Sequence, residues 1–136
     1  NAQAGIQTCI VLDDLMYDEN TFVNNLFTSG RHDNCSTIEL CQRLFNSSKS
    51  RTNRLNTNYF ILFPFGADKS EFHTLARQMS PMDYKRIICK YNEATDRRYG
   101  CLIIDAKTHE YDMENKKMLK FRDTNFDCVY DDMVDV

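Results

Sequence analysis

Residues 9–14 read Cys-Ile-Val-Leu-Asp-Asp, an apolar run that ends in two adjacent carboxylates. The β-branched and apolar residues over 6–12 predict a fully buried strand of the kind found in parallel sheets. In an open parallel sheet such a strand ends at the edge where ligands bind. Asp13 is therefore suited to hold Mg²⁺ through its water shell, and Asp14 to orient or deprotonate an attacking water. The alternative is that both acids only end a strand and cap the next turn.

The rest of the chain alternates strand and helix patterns. Strands are predicted over 35–41, 59–65, 99–104 and 118–122, and helices over 18–28, 68–79 and 80–91. Residues 46–58 are polar and predict an exposed loop, 107–115 a charged turn, and 123–136 an acidic, mobile tail after a core over 1–122. Strands that alternate with helices indicate a three-layer α/β fold with a mainly parallel sheet.

The two later helices have the clearest amphipathic patterns. In the first, an apolar stripe is formed by Phe72, Leu75, Ala76 and Met79, and Asp68 with Glu71 resembles a capping box. In the second, Pro81 is predicted at the first helical position. The residues predicted to face inward there are Met82 or Tyr84, Ile87, Ile88 and Tyr91.

Composition limits the class of protein. The chain has 136 residues, 42% of them hydrophobic, with nine Phe and seven Tyr, which is enough for a folded core. Four Gly and two Pro argue against disorder or fibrous repeats, and a net charge of −3 leaves only a local basic patch for any nucleic acid. No apolar run approaches about 18 residues, so we expect no membrane partner.

Six cysteines are present without a Cys-x-x-Cys pair that would indicate zinc. Three disulfides are one interpretation of an even count. Because Cys9, Cys35, Cys41 and Cys101 lie in apolar runs, we favour reduced thiols packed in the core. Reduced thiols imply a reducing compartment.

Two polar residues are predicted to lie at the same edge of the sheet as Asp13. Gln42 follows the next predicted strand, so it is expected at the same sheet edge, where an amide can sense a γ-phosphate. Arg31 follows the first helix near that edge, and its guanidinium suits phosphate oxygens and transition-state charge. The plainer interpretations are a polar loop residue and a solvated arginine at a helix end.

The polar segment 46–58 and its approach contain spaced cations. Arg43, Lys49, Arg51 and Arg54 lie among Ser and Asn residues. Cations in a flexible segment can follow a phosphate backbone without reading bases, which makes Lys49, Arg51 and Arg54 candidate DNA contacts. An ordinary exposed loop explains the same composition.

Four short motifs occur in a fixed order. They are residues 10–15 (Ile-Val-Leu-Asp-Asp-Leu), 28–34 (Thr-Ser-Gly-Arg-His-Asp-Asn), 42–45 (Gln-Arg-Leu-Phe) and 54–60 (Arg-Leu-Asn-Thr-Asn-Tyr-Phe). Together they resemble the poxvirus-type viral DNA-packaging ATPases of the FtsK/HerA superfamily of P-loop motors. The run 99–105 is similar to their C-terminal strand. The resemblance covers roughly residues 6–106 and implies part of a RecA-like P-loop NTPase fold.

This resemblance also implies roles. Asp13 would be the Walker B acid for Mg²⁺, Asp14 the catalytic carboxylate and Gln42 the sensor, with ATP as substrate. Arg31 lies in the region that supplies an arginine finger to the next subunit of a ring. The implied partners are double-stranded DNA, further copies of the same chain, and a capsid portal or vertex. The implied setting is an infected host cell, in a virus factory or the nucleus, or the virion.

One expected motif is absent from the sequence. None of Gly5, Gly30, Gly66 or Gly100 belongs to a GxxxxGK[ST] phosphate loop. In the family that loop precedes the Walker B strand, so the sequence is expected to be the C-terminal half of an ATPase and inactive by itself. Two alternatives remain open: a non-catalytic α/β interaction module derived from such an ATPase, and a nuclease-like metal site at Asp13 and Asp14.

Overall fold

The computed structural model describes residues 7–13, 21–45, 48–66, 69–107, 119–122 and 128–130, and the fold is mixed α/β, as the sequence predicts. The elements are β1 (Thr8–Asp13), α1 (Thr21–Ser29), a 3-10 helix (Gly30–Asp33), β2 (Cys35–Leu40), α2 (Ser48–Asn56), β3 (Tyr59–Leu62), α3 (Ser70–Met79), α4 (Tyr84–Thr95), β4 (Leu102–Asp105), β5 (Lys120–Arg122) and β6 (Cys128–Tyr130).

The chain divides into two compact units, Asn1–Thr57 and Asn58–Val136. The sequence predicts one continuous core over 1–122, whereas this boundary lies inside that span. Strand β6 lies within 123–136, the span predicted as an acidic tail. The two predicted acids Asp14 and Asp68 lie outside the described residues, as does most of the charged turn predicted over 107–115.

In the first unit, β1 and β2 form a two-stranded parallel sheet, as predicted for this part of the chain. Their Cα register runs from Thr8 opposite Cys35 to Asp13 opposite Leu40. A parallel pair needs a crossover connection, and α1 lies in that connection. The chain enters β2 through Asn34, which has a left-handed φ of 53° and whose carbonyl accepts from the Thr8 N–H at 3.0 Å. Asn tolerates this conformation because its short polar side chain can bond locally.

The two faces of this sheet differ in burial. Paired residues of parallel strands point to the same face, so Leu12 shares a face with Glu39, while Val11 shares the opposite face with Ile38. Leu12 is buried, whereas Val11 is 58% and Ile38 48% exposed. The prediction of a fully buried strand over 6–12 is therefore wrong in this structure. Alternate β1 side chains point to a face that no described element of the unit covers.

Helix α2 replaces the predicted exposed loop over 46–58. No glycine or proline interrupts Ser48–Asn56. The Thr57 hydroxyl donates to the Asn53 carbonyl at 2.7 Å, and Asn53 and Arg54 contact residues outside the helix. The segment lacks an apolar stripe, so its composition favours a loop. Tertiary contacts of polar side chains override that preference.

The second unit contains a four-stranded sheet in the order β3-β4-β5-β6, with every neighbouring pair antiparallel. The prediction of one mainly parallel sheet is thus met by β1 and β2 but not by these strands. Two helices, α3 and α4, separate β3 from β4 and are joined by a short turn. Two helices joined by a short turn can return the chain to the end of the sheet that it left, which lets the next strand run back. The predicted return of 118–122 as a pairing strand is confirmed.

The core of the second unit follows the predicted helix stripes closely. Phe72, Leu75, Ala76, Ile87 and Tyr91 are buried, and the Phe72 and Tyr91 rings lie 4.2 Å apart between centroids. These residues, with Ile104 and Phe121 of the sheet, exclude water from one face of it.

The start of the second helix of this core differs from the prediction. Helix α4 begins at Tyr84, so Pro81 lies in the preceding turn rather than at the first helical position. In that turn the Ser80 hydroxyl oxygen accepts from the Asp83 N–H at 3.2 Å. Met82 is 83% exposed, and the alternative Tyr84 is half-buried. A local hydrogen-bonded turn, not the proline, therefore sets where this helix starts.

At the five positions whose side chains the structure describes, the cysteines form no disulfide, as predicted. Their burial differs from the prediction of core thiols. Only Cys101 is buried, Cys35 is half-buried, and Cys9 and Cys41 are exposed. Cys9 and Cys41 lie on or beside the small parallel sheet, where an apolar run did not produce a covered strand, and Cys89 on α4 is exposed as well.

Candidate functional site

The carboxyl edge of the parallel sheet is the candidate site. Asp13 is the last residue of β1, its Cα is paired with Leu40 at the end of β2, and Gln42 follows two residues later. Because parallel strands end at a common edge, the structure brings the backbone of Asp13 and the segment that contains Gln42 to one side of the sheet.

Both side chains at this edge are accessible. Asp13 and Gln42 are exposed, and Asp13 lies on the same sheet face as Val11 and Ile38. A carboxylate in this position can be approached by a hydrated cation from the open face. Asp14, the predicted catalytic acid, lies outside the described residues.

Arg31 lies at the other end of the same sheet. Its backbone belongs to the 3-10 helix directly before β2, and β2 begins opposite Thr8, the first residue of β1. Six residues of strand separate this edge from Asp13, which is about 16 Å. The expectation that Arg31 is near the Asp13 edge is therefore wrong within one copy of the chain, because the crossover returns the backbone to the starting edge. A role on a neighbouring subunit stays a prediction.

An open groove of about 350 Å³ lies at that amino edge. Its lining includes Thr8, Cys35, Phe22 and the acid Asp33. An acid in the lining disfavours phosphate there, since like charges repel. The groove and the Asp13 edge are at opposite ends of the strands, so this concavity does not enclose a nucleotide around Asp13.

The predicted DNA contacts lie on or near α2. Lys49 belongs to the helix, although its side chain is not described, and Arg51 is exposed. Arg54 is half-buried: its Nη1 donates to the Leu44 carbonyl oxygen at 2.7 Å, and its guanidinium carbon lies 4.1 Å from the centroid of the Phe45 ring. The guanidinium of Arg54 is thus engaged within the protein.

Asn53 and Glu39 form a contact that the sequence did not indicate. Asn53 is only 8% exposed, and its Nδ2 donates to Glu39 Oε2 at 3.4 Å. The Asn53 Oδ1 atom is buried and has no hydrogen-bond partner among the described residues. Hydrophobic periodicity could not have found Asn53, because the apolar residue of this helix, Leu55, is exposed.

Comparison with protein-family models, with curated proteins and with solved structures finds no match for this chain. Within the ranges that the structure describes, no group of three or more His, Cys, Asp or Glu residues is arranged to hold a metal ion. In the same ranges, no helix has the length and apolar character needed to cross a bilayer. Any functional assignment therefore depends on the geometry of the Asp13 edge of the sheet and on the sequence motifs.

Proposed function

We propose that this chain provides the Walker B half of an ATP-driven motor that moves double-stranded DNA into a viral capsid. The observation that supports it most is the register of β1 and β2. It ends both strands at one edge and so puts Asp13 beside the segment of Gln42. A metal-binding acid and a γ-phosphate sensor need this adjacency, since they act on the two ends of one Mg²⁺–phosphate group.

In this proposal each residue at the edge has one task. Asp13 binds Mg²⁺ through water, Asp14 orients and deprotonates the attacking water, and Gln42 contacts the γ-phosphate through its amide. The cradle for the phosphates comes from a segment outside these 136 residues, since no GxxxxGK[ST] occurs among them. This chain without that segment is expected to bind ATP weakly.

The open face of the β1–β2 sheet agrees with a partial three-layer fold. Val11, Ile38 and Leu40 are each about half exposed on it. Parallel sheets are normally covered by helices on both faces, and a two-stranded sheet is marginal alone. A P-loop domain of the FtsK/HerA type would add both the missing strands and the second helical layer.

The remaining partners follow from charge and position. The exposed Arg51 offers a positive charge for DNA phosphates, and a ring of copies would allow Arg31 of one copy to act at the Asp13 edge of the next. The separation of Arg31 from Asp13 along the strands fits action between copies better than action within one.

The decisive experiment is Asp14→Asn in the complete protein. Loss of the water-activating carboxylate should lower kcat for Mg²⁺-ATP hydrolysis about 10²–10⁴-fold and leave nucleotide affinity within about twofold. Steady-state hydrolysis and equilibrium binding of a labelled nucleotide measure the two quantities. Asp96→Asn, a surface acid at the end of α4, is the matched control and should change neither. Full turnover in Asp14→Asn would refute the assignment.

A non-catalytic interaction module is the second candidate, and one observation favours it. On β3, Tyr59 and Ile61 are more than half exposed, and Phe63 just beyond the strand is 60% exposed. Three exposed apolar side chains at alternate positions form a surface suited to protein contacts. A complete protein that binds no nucleotide would favour this candidate over the motor.

A further inference from the structure

The segment that contains Gln42 is held to α2 on both sides. Glu39, three residues before Gln42, accepts a hydrogen bond from Asn53, and Leu44, two residues after it, accepts one from Arg54. Gln42 itself is exposed in a bend between these two contacts. A single turn of α2 therefore fixes the chain before and after the candidate sensor.

Consecutive helix positions make this double contact possible. Neighbouring residues on an α-helix point about 100° apart, so Asn53 and Arg54 reach different parts of the same neighbouring strand and loop. Asn53 is directed into the unit, where it is almost fully buried, while the longer Arg54 side chain extends to residues 44 and 45.

The Arg54 contact is the stronger of the two. Its 2.7 Å hydrogen bond to the Leu44 carbonyl is charge-assisted, and its planar guanidinium also lies 4.1 Å from the centre of the Phe45 ring. A hydrogen bond and a ring contact from one rigid planar group constrain direction as well as distance. Leu44 and Phe45 are both half-buried, which limits competition from water.

The Asn53 contact is longer, at 3.4 Å, and has an unusual feature. Its buried Oδ1 lacks a partner among the described residues, and an unsatisfied buried acceptor is destabilising. An apolar residue of similar size would avoid that penalty. The amide is explained if its Nδ2 is required to hold Glu39 and, through it, the end of β2.

We propose that Arg54 is a positioning residue that sets where the Gln42 amide points, by fixing residues 43–45 against α2. Asn53 assists through Glu39. This inference rests on the proposed function, because it takes Gln42 as the group that contacts the γ-phosphate. Arg54 itself touches neither nucleotide nor metal in this scheme; it acts on turnover through the loop.

The structural part is tested by limited trypsin digestion of the complete protein, since the bond after the exposed Arg43 lies inside the held segment. Arg54→Ala should raise the cleavage rate after Arg43 about tenfold or more, because a charged hydrogen bond and a ring contact are lost. Arg54→Lys, which keeps the charge without the planar group, should give a smaller increase.

Two comparisons keep this result specific. Phe45→Leu removes the ring while leaving Arg54 in place and should also speed cleavage after Arg43. The matched control is Arg77→Ala, which removes an arginine that lies 4.9 Å from the Tyr84 ring centre in the second unit and should have no effect. An unchanged rate in Arg54→Ala, or an equal rise after Arg31, would overturn the proposal, the latter by showing general unfolding.

The functional part is a double-mutant comparison of ATP hydrolysis. Arg54→Ala should lower kcat about tenfold with KM for ATP within about twofold, and adding it to Gln42→Ala should cause no further loss, because Arg54 acts through Gln42. If the two losses in kcat instead multiply in the double mutant, the proposal is overturned. If the wild-type protein hydrolyses no ATP, the proposed function fails. The trypsin pattern then still decides whether Arg54 holds the loop.

Discussion

The two units of this chain are stabilised in different ways. In Asn58–Val136, two amphipathic helices cover one face of an antiparallel sheet, and Phe72, Ile87 and Ile104 are fully buried. In Asn1–Thr57, no described element covers one face of a two-stranded parallel sheet, and the polar helix α2 is attached through Asn53 and Arg54. The second unit has many fully buried apolar side chains, whereas the described part of the first unit buries only Leu12 and Val23 among its large apolar residues and adds directional polar contacts. The candidate site lies in the first unit, at the edge of the β1–β2 sheet.

The largest effect expected from this difference is at Phe72. Phe72→Ala empties a fully buried position and should lower the free energy of unfolding of the second unit by about 3–5 kcal/mol. Phe22→Ala in the first unit, at a ring that is 54% exposed, should lower stability by less than about 1.5 kcal/mol. Urea unfolding followed by circular dichroism measures both. Similar losses at the two sites would show that the units do not differ in packing.

A smaller effect is expected at the Tyr91 hydroxyl. It donates to the Phe63 carbonyl at 3.0 Å and accepts from the Phe65 N–H at 2.7 Å, which holds the segment just after β3 to α4. Tyr91→Phe keeps the buried ring but leaves two part-buried backbone groups unpaired, so the free energy of unfolding should fall by about 1–2 kcal/mol. Tyr84→Phe, on the same helix, is the control for loss of a hydroxyl. No loss in Tyr91→Phe would mean that packing alone holds this unit.

The smallest effect is expected on the open face of the parallel sheet. Ile38→Thr keeps a β-branched side chain at a half-exposed position, so stability should change by no more than about 0.5 kcal/mol. The same substitution at the fully buried Ile104 should cost about 2–3 kcal/mol. Urea unfolding of both variants measures these two changes in stability. A loss above about 1.5 kcal/mol at Ile38 in the complete protein would show that another segment covers this face.

There is a physical reason why some elements of this chain could be predicted from the sequence and others could not. Phe72, Leu75 and Ala76 repeat at helical spacing, and their burial was predictable because that spacing alone defines one face of a helix. The strand at 8–13 was predictable from its continuous run of β-branched and apolar residues, although that run did not predict which of its faces is buried. Helix α2 was not, because the residues that attach it are polar and make contacts that no periodicity encodes.

The candidate site shows the same division. The sequence shows that Asp13 ends one strand and that Gln42 follows the next, and parallel pairing then places their backbones at one edge. Arg31 lies at the opposite edge, because the crossover through α1 and the 3-10 helix ends where β1 begins. The order of these residues in the sequence therefore did not tell which edge of the sheet the backbone of Arg31 occupies.

The sequence by itself determined the strands β1 to β5 and the helices α1, α3 and α4, since the local pattern of apolar residues favours one kind of element over another. It also determined that acids and an amide would follow neighbouring strands. Only the tertiary structure decided the direction of the later strands, the helical state of residues 48–56 and the attachment of Arg54 beside Gln42. These features depend on contacts between residues that are distant in the chain. The free energy of such contacts cannot be predicted from a local sequence pattern.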